Sequence, residues 1–165
     1  ERRFSPTQLD IGDEIRTTAT NVKAMAADKG IDLSLTLPTD PIRIEADPRS
    51  FTQIVMNLLT NAIKFTDPHG EVGITVRARD DGVEIETVDT GVGIPENQIG
   101  KVLEPFSQAP MSPGISHEGT GLGLAIVKEL IDAHSGRLEI ESTMGMGTTV
   151  RVWLPRDFAG KQQRI

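Results

Sequence analysis

The stretch "DPRSFTQIVMNLLTNAIKF", residues 47–65, carries two patterns at once. Phe51, Ile54, Val55, Leu58, Leu59, Ala62 and Ile63 fall on one face of a helix, and such a stripe predicts a helix buried along one side. Asp47 is a good N-cap and Pro48 a good first helical residue. Gln53, Asn57, Asn61 and Lys64 form a second, polar stripe at offsets of four, eight and eleven residues. Asparagine is a weak helix former, and an unpaired buried amide is costly. This helix must therefore pack on a core with one face and present amides and an ammonium with another. A mid-helix asparagine can ligate Mg²⁺ through its carbonyl oxygen, and a lysine on the same face can contact phosphate. The competing reading is an exposed polar face.

The rest of the chain arranges itself around this helix. Residues 1–9 read as an incoming linker. Residues 10–29 are helical, with Ile11, Ile15, Val22, Met25 and Ala26 near spacings of three, four and seven, and Gly30 closes the helix. "IDLSLTL" (31–37) and "IRIEA" (42–46) alternate as strands do. "EVGITVRAR" and "VEIETVD" predict a hairpin joined by Asp80-Asp81-Gly82, in which the Asp-Gly pair is the tight-turn signal. Glycine-rich "DTGVGIP" (89–95) precedes a short helical piece reaching Leu103. Residues 121–136 form a helix closed by Gly136, and "RLEIEST" and "TTVRVWLP" are strands split by "MGMG". Residues 156–165 read as a solvated tail. Strands and helices mix without strict alternation. This favours an α+β class, a two-layer α/β sandwich with a mixed sheet of about five strands and three longer helices on one face, formed by residues 10–155.

Composition removes several function classes. Seventeen Lys and Arg stand against 24 Asp and Glu, a net charge of −7, which argues against a nucleic-acid or anionic-membrane partner. There is no cysteine, hence no disulfide, thiolate zinc site or cysteine nucleophile, as fits a cytoplasmic domain. No apolar run approaches the roughly 18–20 residues of a membrane span, and the N-terminus lacks the apolar core of a signal peptide. A chain that starts without methionine is expected to be a piece of something longer, and this piece is expected to be monomeric.

Two glycine clusters carry competing readings. "GTGLG" (Gly119, Gly121, Gly123) opens a helix, where free N–H groups make an anion site; it reads equally as a flexible loop meeting a helix. Its spacing is neither the dinucleotide fingerprint nor a P-loop. In "DTGVGIP", Asp89 ends a strand where a carboxylate can accept from an amino group; it also reads as an Asp turn bonded to its own backbone. "QAPMSPGISHEGT" (108–120) has no period and is long for a loop in a small domain, which is usual for a functional loop.

Taken in order, "NLLTNAIKFT" (57–66), "DTGVGIP" (89–95), "LEPFSQ" (103–108), "GTGLGLAIVKELIDAHSG" (119–136) and "GMGTTVRVWLP" (145–155) resemble the boxes of the catalytic ATP-binding domain of two-component sensor histidine kinases. That domain belongs to a superfamily shared with DNA gyrase, mismatch-repair ATPases and heat-shock chaperones, and the likeness implies the Bergerat-type ATP-binding fold. It implies that Asn61 ligates Mg²⁺ with Asn57 beside it, that Lys64 approaches the phosphates and that Phe65 lines the adenine pocket. Asp89 would accept from the adenine amino group, supported by Thr148, while Gly91 and Gly93 let the backbone pass the base. Ile94, Phe106 and Leu124 would complete the nucleotide site. Gly119, Thr120, Gly121, Leu122 and Gly123 would lead into the helix that cradles the phosphates, and residues 108–120 would be the ATP lid.

The resemblance also shapes the expected chemistry. Hydrolases of the superfamily carry an acidic residue four positions before the metal-binding asparagine. Here that position is Asn57, and an amide is no general base near neutral pH. The expected activity is therefore donation of the γ-phosphoryl group to a histidine on a separate dimerisation domain, with a response regulator downstream and a parent protein that can be membrane-anchored. A regulatory module that binds nucleotide without turnover is the alternative. Of the three histidines, His69 lies in a turn, His134 near a helix end, and His117-Glu118 runs into Gly119-Thr120-Gly121, so none resembles the phosphoacceptor. Some relatives carry a basic residue two positions after the box phenylalanine. Here Gln108 follows Phe106, which leaves Lys64 or Lys101 to meet the γ-phosphate.

Overall fold

The structure, a computed structural model, describes residues 3–104 and 123–158. Strand β1 (Thr7–Asp10) runs directly into helix α1 (Ile11–Lys29). Asp10 caps α1 through its carboxylate, which accepts from Asp13 N–H at 3.2 Å. Gly30 ends the helix in the left-handed region at φ 76°. Ile11, Ile15, Ala19, Val22 and Ala26 are buried, whereas Met25, counted in the stripe by spacing, is 45% exposed. Strands β2 (Asp32–Thr36) and β3 (Arg43–Ala46) lead to helix α2 (Pro48–Lys64). The hairpin β4 (Glu71–Arg79) and β5 (Gly82–Asp89), a 3₁₀ turn (Glu96–Gln98), the short helix α3 (Ile99–Val102), helix α4 (Gly123–Ala133) and the hairpin β6 (Arg137–Thr143) and β7 (Gly147–Pro155) follow.

The main sheet has the order β2-β4-β5-β7-β6. β2 and β4 are parallel, with α2 in the connection between them, and every other pair is antiparallel. This is the α+β fold with a mixed five-stranded sheet expected from the pattern. Side chains alternate across the strands. Val72, Ile74, Val76, Val83, Ile85, Val150, Val152 and Leu154 are buried in one core with the helices. The opposite face is charged: Arg77 and Arg79 hold Glu84, and Arg151 joins Glu86 to Glu141.

Three local details differ from the sequence pattern. Residues 7–10, within and at the edge of the expected linker, pair antiparallel with β3 as a small second sheet. In the β4–β5 turn the two left-handed residues are Asp80 (φ 49°) and Asp81 (φ 55°), one step earlier than the Asp-Gly signal. Gly82 instead begins β5, where a side chain would overlap the Leu154 carbonyl. At the end of α4 the left-handed residue is Ser135 (φ 58°) rather than Gly136, whose missing side chain makes room for the Trp153 carbonyl.

The N-terminal end of α2 is tied to both ends of the described chain. The Asp47 carboxylate accepts from Ser5 N–H (2.8 Å), Ser50 N–H (2.9 Å) and Ser50 Oγ–H (2.7 Å). Asp47 N–H donates to His134 Nε2 at 3.3 Å, and His134 Nδ1 lies 2.8 Å from the Leu130 carbonyl. A carbonyl only accepts, so the proton sits on Nδ1 and the ring is neutral. Phe4 and Phe158 meet the imidazole edge-on at 5.3 and 5.0 Å between ring centres. Beyond Pro155 the chain is held as well: the Arg156 carbonyl accepts from Glu45 N–H, and Phe158 N–H donates to Glu45 Oε1.

Burial holds the His134 pKa below its ordinary 6.5, against the Leu130 carbonyl and Asp47, which favour the charged form. The unfolded chain therefore takes up this proton first, and stability is lost as pH falls through 6.5. Denaturant unfolding should show a midpoint that falls between about pH 7 and pH 5, with a shallower fall in His134→Gln, which has no imidazole to charge.

Candidate functional site

Helix α2 delivers the polar stripe as its apolar stripe demands. Phe51, Ile54, Val55, Leu58, Leu59, Ala62 and Ile63 are all buried. With that face fixed, Asn57 and Asn61 turn toward the start of α4. Asn57 Nδ2 donates to the Gly123 carbonyl at 3.3 Å, which ties the two helices together. Asn61 lines a pocket, and a side chain built on Gly123 would come within 3.8 Å of its Oδ1. Gln53, the fourth member of the stripe, lines a separate shallow hollow near the start of α2 with Pro48, Arg49, Thr52 and Met56.

The C-terminal end of α2 is capped from α1. Lys29 Nζ donates to the Ile63 carbonyl (2.9 Å) and the Lys64 carbonyl (2.8 Å), two of the acceptors a helix end leaves open. The Lys64 ammonium stands 5.5 Å from the centre of the Phe65 ring. The next carbonyl, that of Phe65, accepts from Val92 N–H at 3.2 Å. Gly91 packs against that same carbonyl so closely that any side chain would overlap it. Gly93 adopts φ 78° beside the Thr143 carbonyl, where a side chain would be both strained and obstructed.

Asp89 stands at the end of β5, 9% exposed. Its Oδ1 accepts from Gly91 N–H at 2.9 Å and from Thr148 N–H at 3.2 Å. The turn reading of this aspartate holds: it is bonded to its own turn through one oxygen. Among the described residues no group donates to Oδ2. Burial raises the Asp89 pKa above its ordinary value, against the two N–H groups that favour the carboxylate.

The pocket is lined by Leu58, Asn61, Ala62 and Phe65 of α2, Thr87 and Asp89 of β5, Gly93 and Ile94 of the turn, Leu124 of α4, and Thr148 and Val150 of β7. It is a narrow cleft with mixed polar and apolar walls, an acceptor at one end and an amide on its helical side. Its apolar side chains suit the faces of an aromatic ring, and a carboxylate oxygen suits an exocyclic amino group. A hard divalent cation fits the amide oxygen of Asn61, because Mg²⁺ commonly takes only one or two protein ligands and completes its shell with phosphates and water. Among the described residues no cluster of three His, Cys, Asp or Glu offers a metal cage.

Of the residues expected at the site, Asn61, Phe65, Asp89, Gly93, Ile94, Leu124 and Thr148 come together in this pocket. Gly91 shapes it from behind, and Asn57 and Gly123 join the helices at its rim. Lys64 does not line it. Phe106, Gly119, Thr120, Gly121 and Leu122 lie outside the described residues, as does the stretch 108–120 read as a lid. Thr87 and Ser142 were missed. Thr87 was legible from strand parity, two residues before Asp89 on the same side. Ser142 was legible from the β6–β7 hairpin, since the three-residue "MGM" turn sets it opposite Thr148.

A model of the family described as "Histidine kinase-, DNA gyrase B-, and HSP90-like ATPase" matches residues 46–157. The chain belongs to this family. Among relatives of the histidine-kinase branch, the circadian input-output histidine kinase CikA of Synechococcus elongatus is 43% identical over 125 residues, 76% of this chain and 16% of that protein. Histidine protein kinase DivJ of Caulobacter vibrioides is 36% identical over 147 residues, 89% of this chain and 24% of that protein. The chain thus spans a quarter or less of the length of these relatives. The catalytic domain of histidine kinase ThkA superposes with a TM-score of 0.82 at 26% identity, over 93% of this chain and 97% of that one. Full-length ShkA, solved in complex with AMPPNP, gives 0.82 at 29% identity, over 99% of this chain and 34% of that one. The chain is a histidine-kinase-type ATP-binding domain, and ATP is the ligand its family binds.

Two measurements test the geometry of this ATP-binding domain. Gly91→Ala should lower stability by about 1–3 kcal/mol in chemical denaturation, because the new methyl must displace the Phe65 carbonyl or strain the turn. Asp89→Asn keeps the Oδ1 acceptor but turns an NH₂ into the pocket. Calorimetry should show ATP affinity falling by roughly tenfold to a hundredfold, the worth of a hydrogen bond to a charged group. The free protein should melt no lower at neutral pH, because a carboxylate whose folded pKa is raised loses stability as pH rises through its titration.

Proposed function

We propose that this domain binds ATP with Mg²⁺ and donates the γ-phosphoryl group to a histidine on a separate dimerisation domain of its parent kinase, within a two-component pathway that ends on a response regulator. The observation that carries the reading is the pairing, in one pocket, of a buried carboxylate with an open oxygen and an asparagine on the facing helix.

Each residue then has a task. Asp89 Oδ2 accepts from the adenine amino group, while Phe65, Leu58, Ala62, Leu124, Ile94 and Val150 enclose the ring. Asn61 supplies an amide oxygen for the metal, and bound Mg²⁺ neutralises charge on the phosphates. Asn57 holds Gly123 at the start of α4 and so fixes the distance between α2 and the helix expected to meet the phosphates. The position where a hydrolase would carry its water-activating acid holds this committed amide. Phosphoryl transfer rests mainly on positioning and charge neutralisation, which suits a domain whose nucleophile arrives from outside. Lys64 is the cation of α2 available to reach a phosphate by leaving the Phe65 ring.

Titration calorimetry with ATP, with and without Mg²⁺, tests the reading on wild type and Asn61→Ala. Wild type should bind more tightly with Mg²⁺ present, and Asn61→Ala should lose that difference while keeping metal-free binding. Adding the dimerisation domain in trans with ATP should then yield phosphohistidine on that domain and none on this chain. Stoichiometric phosphohistidine on this chain would contradict the proposal.

A further inference from the structure

Lys29, the last residue of α1, stands half-buried against the C-terminal end of α2. Its Nζ donates to the Ile63 carbonyl at 2.9 Å and to the Lys64 carbonyl at 2.8 Å. A continuing helix would cap the Lys64 carbonyl with the N–H four residues on, but that residue is Pro68, which has none. Among the described residues Lys29 is the one donor to that carbonyl. The root of the lysine is fixed as well, because His69 N–H donates to the Gly30 carbonyl at 2.9 Å and ties the turn after α2 to the end of α1.

The two peptide units that flank the Phe65 Cα are thereby held at both edges. In the first, Lys29 holds the Lys64 carbonyl and Phe65 N–H donates to the Asn61 carbonyl at 3.2 Å. In the second, the Phe65 carbonyl accepts from Val92 N–H at 3.2 Å and Thr66 N–H donates to the Ile63 carbonyl at 3.3 Å. The bond from Lys29 is the shortest of the four and the one that carries a charge, and such bonds are roughly twice as strong as neutral ones. Holding both planes sets the Phe65 backbone at φ −94° and ψ 5°, and with it the direction in which the side chain leaves. That side chain is a wall of the pocket. The geometry points to Lys29 as a positioning residue for nucleotide binding: without touching the ligand, it holds the Phe65 ring in the pocket wall from the neighbouring helix. The inference rests on the ATP reading above and adds a residue to it. Without the lysine donors the Lys64–Phe65 peptide turns its carbonyl to water, and the ring swings with it.

Calorimetric titration with ATP tests this on Lys29→Met, which keeps the apolar stem and loses the donors. The variant should melt lower, so binding is measured well below its midpoint. ATP affinity should fall by about threefold to tenfold, the worth of one aromatic contact. Lys29→Arg keeps the charge and has N–H groups enough for both carbonyls, and it should bind as the wild type does. In a Phe65→Ala background there is no ring to place, and adding Lys29→Met should cost no further affinity. Should Lys29→Met be unfolded at the working temperature, Lys29→Gln, which keeps one amide donor group, takes its place in the same cycle with a smaller loss. A Lys29→Met protein that melts lower but binds ATP as the wild type does would show a purely structural cap and overturn the proposal. Losses that add in the double variant would overturn it too, because they would show α2 loosening by a route that bypasses the ring. Failure of the wild type to bind ATP would overturn the nucleotide reading as well, whereas either of the other two results on a wild type that binds ATP overturns the proposal alone.

Discussion

Burial of the α2 apolar stripe is the constraint on which the other features depend. Each large side chain of that stripe contributes on the order of 1.5–3 kcal/mol on leaving water. No weaker preference of the polar stripe can turn the helix against that. The rotation of α2 about its own axis is thereby set, and with it the directions of Asn57 and Asn61. Three hydrogen-bonded anchors then fix its position along the axis. Asp47 and His134 hold the first turn, Asn57 holds the middle against Gly123, and Lys29 holds the last carbonyls. Of these, an isolated helix would keep only the Asp47 cap on Ser50 N–H.

The same core raises the cost of its own polar groups, and the protein uses that cost in two ways. At His134 the burial is matched by partners on both ring nitrogens, so the imidazole stays neutral, and it packs between Phe4 and Phe158 near the two ends of the described residues. At Asp89 the match is one-sided: Oδ1 is satisfied twice, and among the described residues no group donates to Oδ2. Burial therefore outweighs the two N–H groups and raises the pKa of this carboxyl.

The backbone does as much as the side chains. Gly91, Gly93 and Gly147 each sit where a carbonyl of a neighbouring segment would overlap a side chain: Phe65, Thr143 and Asp89 respectively. Their absence of a Cβ brings the Asp89 turn against the end of α2 and the β6–β7 hairpin against that turn. Gly145 N–H donating to the Val92 carbonyl closes the same contact. The base end of the pocket is thus built from three segments far apart in sequence, packed at backbone distance.

Much of this was legible in the residues themselves. Helix α2 with its caps, the hairpin strands and the mixed α+β class follow from periodicity and turn residues, because these are local patterns that a single element must satisfy. Asn61, Phe65, Asp89 and Thr148 were named by the resemblance of the boxes, and they line one pocket. What the tertiary structure alone decided is how those elements meet. Residues 7–10 carry too short an alternation to announce a strand, and only β3 beside them makes one. The docking of Phe158, the capping of α2 by Lys29 and the row of Ser142, Thr148 and Asp89 depend on register and on packing between distant segments. The hydrogen bonds of that row join three segments far apart in the chain, so no single stretch of sequence contains them.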